Sequence, residues 1–205
     1  MSSAVKDAAR RPALFLDRDG VVNADRGFVA KREDFVWQED IFALVREALA
    51  RRFVPVIVTN QSGIGRGLYT EADYASLTKW MLARFDAEHA PIARVYHCPY
   101  HPEAELAHFR AVHPWRKPAP GMLLAAADEL NLDLANSILL GDRWSDVDAG
   151  VAAGVGTIVL VGPLATQARE NAPPHLIRLP DIMSTVRWFT EKYAHGVGAG
   201  QPCAN

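Results

Sequence analysis

The chain has 205 residues, 49% of them hydrophobic, so a single domain of this length can bury a substantial core. A formal net charge of -2 at pH 7 without any basic cluster excludes the electrostatic footprint of a nucleic-acid-binding protein. Residues 1–11 lack the apolar core of a signal peptide, and no stretch approaches the ~20 apolar residues of a membrane span, so we expect a cytoplasmic protein with no membrane partner. The only cysteines, Cys98 and Cys203, lie far apart in the sequence, so no disulfide is expected. We also expect a monomer.

Five short apolar runs predict β-strands, and helical patterns lie between them. The runs cover residues 13–17, 53–59, 92–97, 137–142 and 155–161. Helices are predicted over residues 39–51, from Thr70 onward, over residues 121–130, and up to about residue 193. Short apolar strands that alternate with helices are typical of a parallel sheet covered on both faces. We therefore predict an α/β fold, with a doubly wound, Rossmann-like parallel sheet and helices on both faces.

One domain is predicted over residues 12–194, since no internal repeat or low-complexity segment interrupts this alternation. Residues 1–11 are expected to form a flexible N-terminus. Residues 195–205 contain glycines and no apolar pattern, which predicts a disordered tail.

Polar residues gather at the predicted strand ends. The first run, ALFLDRDGVVN from residue 13, ends in Asp17 and Asp19, and the strand period of two points both carboxylates the same way. On its own, DRDG also fits an ordinary turn. The other strand-end residues are Thr59, Asn60 and Gln61 after the second run, Asp142 at the end of the fourth, and Lys117 before the preceding helix. In doubly wound sheets the strands' carboxyl ends border the ligand crevice, so we expect these residues to converge.

The mixture of residue types indicates a chemistry. Three converging carboxylates repel one another unless a cation lies between them, and hard oxygen ligands favour Mg²⁺. Lys117, the Thr59 hydroxyl and backbone N–H groups near Asn60 suit the oxygens of a phosphoryl group. A carboxylate in such a site can act as a nucleophile.

Here the sequence resembles the haloacid dehalogenase-like phosphatases over roughly residues 12–162. Four motifs carry the resemblance: DRDGV from Asp17, Thr59, Lys117, and Gly141-Asp142 with the downstream Asp146. The resemblance implies that Asp17 forms an aspartyl-phosphate, that Asp19 is the general acid and base, and that Lys117 and Thr59 hold phosphoryl oxygens. It also implies Mg²⁺ bound by the Asp17 carboxylate, the Asp19 carbonyl and Asp142.

Two further residues near these motifs have their own interpretations. Asp146 suits the first turn of the helix after Asp142, where negative side chains are favoured, and equally a role supporting the metal site. Arg18, between the two aspartates, should point to the opposite side of the strand end and have a structural role.

Longer segments are similar to the heptose bisphosphate phosphatases, which are related to the phosphatase part of histidinol-phosphate phosphatase. The segments are LFLDRDGVVNADRGFV, VTNQSGIGRGLYT, HCPYHP, RKPAPGM and LLGDRWSDVDAG. This resemblance implies no large cap domain, and the motif spacing leaves no room for one. It also implies a small-molecule sugar bisphosphate as substrate: D-glycero-D-manno-heptose 1,7-bisphosphate, which loses its 7-phosphate on the route to lipopolysaccharide or capsule. Arg66 and Arg116 are candidates to hold the second phosphate, beside Asn60 and Gln61 as substrate-binding residues.

The loop from residue 97 to residue 115 departs from the family pattern. The family places a structural zinc here with Cys-x-His and Cys-x-Cys ligand pairs. At those positions the chain has Cys98, Tyr100, His113 and Trp115, and two of these cannot be ligands. One alternative is a rearranged zinc site made by Cys98, His101, His108 and His113. The other is that Trp115 and Tyr100 stabilise the loop by packing.

Two competing functions use similar residues. A histidinol-phosphate phosphatase would share the catalytic set, but the arginines at positions 66, 116 and 143 favour a second anionic group over an amine. A receiver-type phospho-acceptor domain needs an aspartate at the end of its third strand, and IARVYHCPYHP supplies none.

Overall fold

The computed structural model describes residues 9–174 and 176–194. Its strands are β1 (Ala13–Leu16), β2 (Val54–Asn60), β3 (Arg94–Cys98), β4 (Ile138–Gly141), β5 (Thr157–Val161) and β6 (Ile177–Leu179). Its α-helices are α1 (Ile41–Ala50), α2 (Ser62–Gly65), α3 (Glu71–Ala87), α4 (Gly121–Glu129), α5 (Trp144–Ala153) and α6 (Ile182–Lys192).

All six strands form one parallel sheet in the order β3-β2-β1-β4-β5-β6. The chain runs outward from β1 to β3 on one side and then returns to β4 on the other, so the switch point lies between β1 and β4. Ligands of open α/β sheets bind at the carboxyl ends of the strands at such a point. The predicted doubly wound fold is confirmed. The short strand β6 is an addition, because the apolar piece HLIRLPDI carried too weak a pattern to predict it.

Side-chain alternation along β1 shows how both faces of the sheet are covered. Leu14 and Leu16 belong to the cluster that contains α1, α3 and α6, whereas Ala13 and Phe15 belong to the cluster that contains α4 and α5. All four side chains are buried. A strand that is buried on both faces is apolar throughout, which is why it reads as a continuous apolar run.

Helix α3 illustrates how local sequence sets an element. Thr70 caps it, since the hydroxyl accepts from the backbone N–H of Asp73, whose carboxylate accepts from the Thr70 N–H in return. Its buried stripe is Tyr74, Leu77, Met81 and Phe85, as the helical spacing predicts.

Two long connections with little regular structure take the place of a cap domain in the described part of the chain. Between β1 and α1 the only regular element is a 3₁₀ turn at Arg32–Asp34, and between β3 and α4 it is one at Ala107–Phe109. Among the described helices, none has the length and apolar character needed to cross a membrane. The predicted disordered tail at 195–205, and most of the predicted flexible N-terminus, lie outside the described residues. Arg11 is described, and its carbonyl accepts from the Asp133 N–H at 2.9 Å.

Candidate active site

A cavity of about 520 Å³ opens at the carboxyl ends of β1 and β2. It brings together the predicted residues Asp17, Asp19, Thr59, Asn60, Gln61, Arg66, Arg116 and Lys117. Asp142 follows β4 directly, next to Asp17, so the residues listed from the strand ends share one edge of the sheet. The third strand, β3, ends at Cys98 and offers no carboxylate there.

Lys117 is the cation at the centre of the site. Its ammonium donates to the Val58 carbonyl at 2.9 Å, and it lies 2.9 Å from Asp17 Oδ1 and 2.5 Å from Asp146 Oδ1. Burial alone would lower the pKa of Lys117, but the carboxylates of Asp146 and Asp17 raise it above its ordinary value. Lys117 is therefore a fixed positive charge, held between two carboxylates and only 3% exposed.

The Asn60 side chain fixes the backbone that carries this lysine. Its amide donates to the Lys117 carbonyl at 3.0 Å, while its oxygen accepts from the Lys117 N–H at 3.0 Å. Two hydrogen bonds between the end of β2 and the start of the next segment keep Lys117 at the sheet edge. Both ends of the Asn60 amide are thus engaged within the protein.

Three carboxylates form the one cluster of potential metal ligands found among the described residues. One ligand oxygen each from Asp17, Asp142 and Asp146 lies within 4.8 Å of the others. Burial, followed by the charges of Asp17 and Asp146, raises the pKa of Asp142 to about 8, and burial raises that of Asp17 to about 7 against the opposing charge of Lys117.

These carboxylates fit a hard divalent cation. The buried Oδ1 atom of Asp142 has no hydrogen-bond partner among the described residues, and three carboxylates exceed the single charge of Lys117. Oxygen-only ligands of this kind suit Mg²⁺.

Glycine allows the ends of β1 and β4 to approach each other. Gly20 has a φ of +92°, and a Cβ atom built there would lie 2.1 Å from Asp142 Oδ2. At Gly141 a Cβ atom would lie 2.2 Å from the Cβ of Asp146. Both glycines therefore leave space for a carboxylate of the cluster. This steric requirement explains why the two motifs have glycine at these positions.

The Asp19 carboxylate is held apart from the metal cluster by hydrogen bonds from neighbouring side chains. Arg18 Nη2 donates to both of its carboxylate oxygens at 2.8 Å, and the Asn23 amide donates to Oδ1 at 3.0 Å. The Arg18 side chain is 1% exposed and also donates to the Val29 carbonyl. Arg18 thus has the structural role expected of it. However, its guanidinium binds the carboxylate of Asp19 and does not point to the opposite side of the strand end.

Gln61 completes this arrangement. Its amide nitrogen donates to Asp19 Oδ2 at 3.0 Å and to the Thr59 hydroxyl at 2.9 Å, and its oxygen accepts from the Tyr69 hydroxyl at 2.6 Å. A side chain with these three contacts, and 2% exposed, orients Asp19 and Thr59. Sequence reasoning missed Tyr69 and Asn23, because no spacing rule links a tyrosine of one loop to a glutamine after a strand.

An ion pair lies at the mouth of the cavity. Arg143 Nη2 donates to Asp25 Oδ2 at 2.5 Å, and the Gly27 N–H donates to Asp25 Oδ1 at 2.9 Å. Although burial opposes the change, these contacts lower the pKa of Asp25. Phe28, 51% exposed and with a φ of +50°, lines the cavity beside them. Neither Asp25 nor Phe28 was predicted as a site residue, because the segment that contains them was recognised only as a whole and no chemistry was assigned to its individual side chains after Asp19.

Cationic side chains line the cavity together with His101. Arg116 Nη1 donates to the Tyr100 carbonyl at 3.3 Å, and Arg66 Nη2 lies 3.2 Å from His101 Nε2. Within residues 9–174 and 176–194, neither arginine forms an ion pair with a carboxylate. Their charges are therefore available to an anionic ligand.

The structure does not bring together the four residues of the rearranged zinc site. Cys98, His101, His108 and His113 do not form a ligand cluster in the described chain. His101 faces Arg66, His113 stacks on Tyr100 with ring centroids 4.1 Å apart, and the exposed His108 contacts Phe109. Trp115 meets Tyr96 edge to face. Because His113 and His108 pack against aromatic neighbours and His101 faces an arginine, these side chains do not converge on a zinc ion, and the packing alternative describes the loop.

The chain is similar to several known proteins. A family model described as HAD-hydrolase-like matches residues 114–181. The D-glycero-alpha-D-manno-heptose-1,7-bisphosphate 7-phosphatase of Burkholderia mallei is 50% identical over 168 residues, which cover 82% of this chain and 89% of that protein. The D-glycero-beta-D-manno-heptose-1,7-bisphosphate 7-phosphatase of Escherichia coli K12 is 42% identical over 179 residues, covering 86% and 94%.

A solved structure shows the same fold. The D,D-heptose 1,7-bisphosphate phosphatase of B. bronchiseptica, crystallised with magnesium and phosphate, superimposes with a TM-score of 0.75 at 25% sequence identity. The match covers 88% of this chain and 99% of that one.

Proposed function

Because this chain belongs to the haloacid dehalogenase-like phosphatases, in the family of the heptose 1,7-bisphosphate 7-phosphatases, we propose that it hydrolyses the 7-phosphate of D-glycero-D-manno-heptose 1,7-bisphosphate. The observation that carries the choice of a bisphosphate is the pair Arg66 and Arg116. Both line the cavity that contains Asp17, and neither has a carboxylate partner in the described chain. A cavity with the proposed nucleophile and two guanidinium groups that lack a carboxylate partner among the described residues suits a substrate with two phosphates.

Asp17 is the proposed nucleophile. A carboxylate oxygen of Asp17 attacks phosphorus, the bond from phosphorus to the sugar oxygen breaks, and Asp19 gives the leaving oxygen a proton. Water then attacks the aspartyl-phosphate, Asp19 takes a proton from that water, and phosphate leaves with the Asp17 carboxylate restored. The contacts of Asp19 with Arg18 and Gln61 support this division, because they keep the second carboxylate out of the metal cluster.

Lys117 and Thr59 are proposed to bind the transferred phosphoryl group. Lys117 is already charged and adjacent to Asp17, so it can pair with a phosphoryl oxygen without first gaining a proton. The Thr59 hydroxyl accepts from Gln61, which leaves its own proton to donate.

Mg²⁺ is the proposed cofactor, held by Asp17, Asp142 and the backbone carbonyl of Asp19, with Asp146 beside them. When bound, the ion neutralises charge that would otherwise repel an anionic ester from a carboxylate nucleophile. Asp146 also keeps its ion pair with Lys117, which orients the lysine side chain.

The test is phosphate release from both anomers of the heptose 1,7-bisphosphate and from histidinol phosphate, compared as kcat/KM with Mg²⁺ present. Both anomers are needed because the two relatives are named for opposite ones. A preference of about two decades or more for one bisphosphate is expected. Equal or faster turnover of histidinol phosphate would reject the assignment of the arginines and leave the phosphatase chemistry.

The proposal includes one phosphatase domain over residues 12–194, acting as a monomer in the cytoplasm. The mass of the protein in solution, measured by light scattering, tests the monomer directly. A dimer at micromolar concentration would reject it.

A further inference from the structure

His101 is fixed by a hydrogen bond within its own loop. The backbone N–H of Glu103 donates to His101 Nδ1 at 3.0 Å. A neutral imidazole carries one proton, so a nitrogen that accepts leaves the proton on the other nitrogen. Nε2 is therefore the N–H donor of this ring.

The ring is kept neutral by its surroundings. Burial, and then the positive charges of Arg116 and Arg66, lower the pKa of His101. The backbone N–H of Glu103 cannot turn away, whereas the guanidinium of Arg66 lies at the end of a flexible stem. The contact with Glu103 consequently decides the tautomer, and the contact with Arg66 adapts.

A consequence is that two donors face each other. Arg66 Nη2 lies 3.2 Å from His101 Nε2, and both atoms carry hydrogens. Arg66 Nε is buried and has no hydrogen-bond partner among the described residues. Both side chains line the cavity that holds Asp17, with Arg116 beside them. Converging donors without an acceptor are satisfied by an anion with several oxygens.

We propose that His101 Nε2 and Arg66 form a donor pair that binds the second phosphate of the substrate. The inference rests on the proposed function and adds to it a specificity-determining residue, which the sequence had assigned to the alternative zinc site. It also predicts exclusion of substrates that carry a cation at this end, such as histidinol phosphate, because they would meet donors and positive charge.

Two substitutions separate the donor from the loop contact. His101→Asn places an amide oxygen where Nδ1 accepts from Glu103, but has no donor at the Nε2 position. His101→Gln can place an amide N–H near Nε2. The substrates are the heptose 1,7-bisphosphate and the heptose 7-phosphate, which lacks the 1-phosphate. The readout is the ratio of their kcat/KM values. His108→Asn, an exposed histidine of the same loop outside the cavity lining, is the control.

We expect the wild type to prefer the bisphosphate, and His101→Asn to lower that ratio by about tenfold or more through KM. His101→Gln should keep the ratio within about threefold, and His108→Asn should leave it unchanged. A wild-type preference that survives His101→Asn would overturn this inference alone. A wild type without any preference would overturn the proposed substrate, and the inference with it.

Discussion

Replacing Lys117 by methionine is expected to destabilise the protein in a pH-dependent way. The lysine is almost fully buried and lies between the carboxylates of Asp17 and Asp146. Removing one partner of a buried ion pair leaves an uncompensated charge and costs about 3–5 kcal/mol. For a domain of this size, that loss corresponds to a fall in Tm of roughly 6–20 °C.

The pH dependence follows from which groups change their protonation. The pKa of Lys117 is raised, so the lysine itself stays protonated from acidic to neutral pH, and its own titration removes stability only when pH rises through the folded-state pKa. Any change of its contribution at lower pH therefore comes from its carboxylate partners. Without the lysine, the two carboxylates bind protons more tightly in the folded protein than in the unfolded chain. Stability of the variant relative to wild type must therefore fall as pH rises, with a larger loss at about pH 8 than at about pH 5.5.

The assay is urea unfolding of the metal-free proteins followed by far-UV circular dichroism at those two pH values. Lys79→Met, at an exposed lysine on α3, is the matched control and should change stability by less than about 0.5 kcal/mol. Adding Asp146→Asn to Lys117→Met should recover part of the loss, since it removes one unpaired charge. An equal loss at both pH values would refute the reasoning, because desolvated carboxylates cannot be the cause of a pH-independent effect.

Three further changes test the site. Asp17→Asn should lower phosphatase activity by roughly three orders of magnitude or more, because it removes the proposed nucleophile. It should not lower Tm, because it removes a carboxylate that burial disfavours and leaves Lys117 paired with Asp146. Asp148→Asn on α5 should keep full activity, and an active Asp17→Asn protein would contradict the role proposed for Asp17. Gly20→Ala should lower the free energy of unfolding in urea by about 2 kcal/mol or more. Gly67→Ala is the control and should lower it by only ~1 kcal/mol, because Gly67 has a similar φ but nothing within 4 Å of its added Cβ. Equal losses would exclude the contact with Asp142 as the cause. The folded-state pKa values of Asp17 and Asp142 are raised from an ordinary value of 3.8 to about 7 and about 8, so stability of the metal-free protein should fall as pH rises from about 4 to about 8. Mg²⁺ should raise Tm more at about pH 8 than at about pH 6, and an equal shift at both would place the ion elsewhere.

Much of the fold could be predicted because its signals are local. The buried stripe of α3, its cap at Thr70 and the apolar strands depend on residues a few positions apart, and they appear in the structure where the sequence predicts them. The strand β6 was missed because three partly buried residues at the sheet edge carry no clear period.

The candidate site divides in the same way. Residue type and order by themselves predicted which side chains meet in the candidate site, since aspartates that directly follow parallel strands lie at one edge of the sheet. Tertiary structure alone decided that Gln61 orients Asp19, that Arg18 holds the same carboxylate, and that His101 faces Arg66 rather than Cys98 and the other loop histidines. These contacts depend on the direction of side chains in loops, and a loop has no repeating period from which that direction can be read.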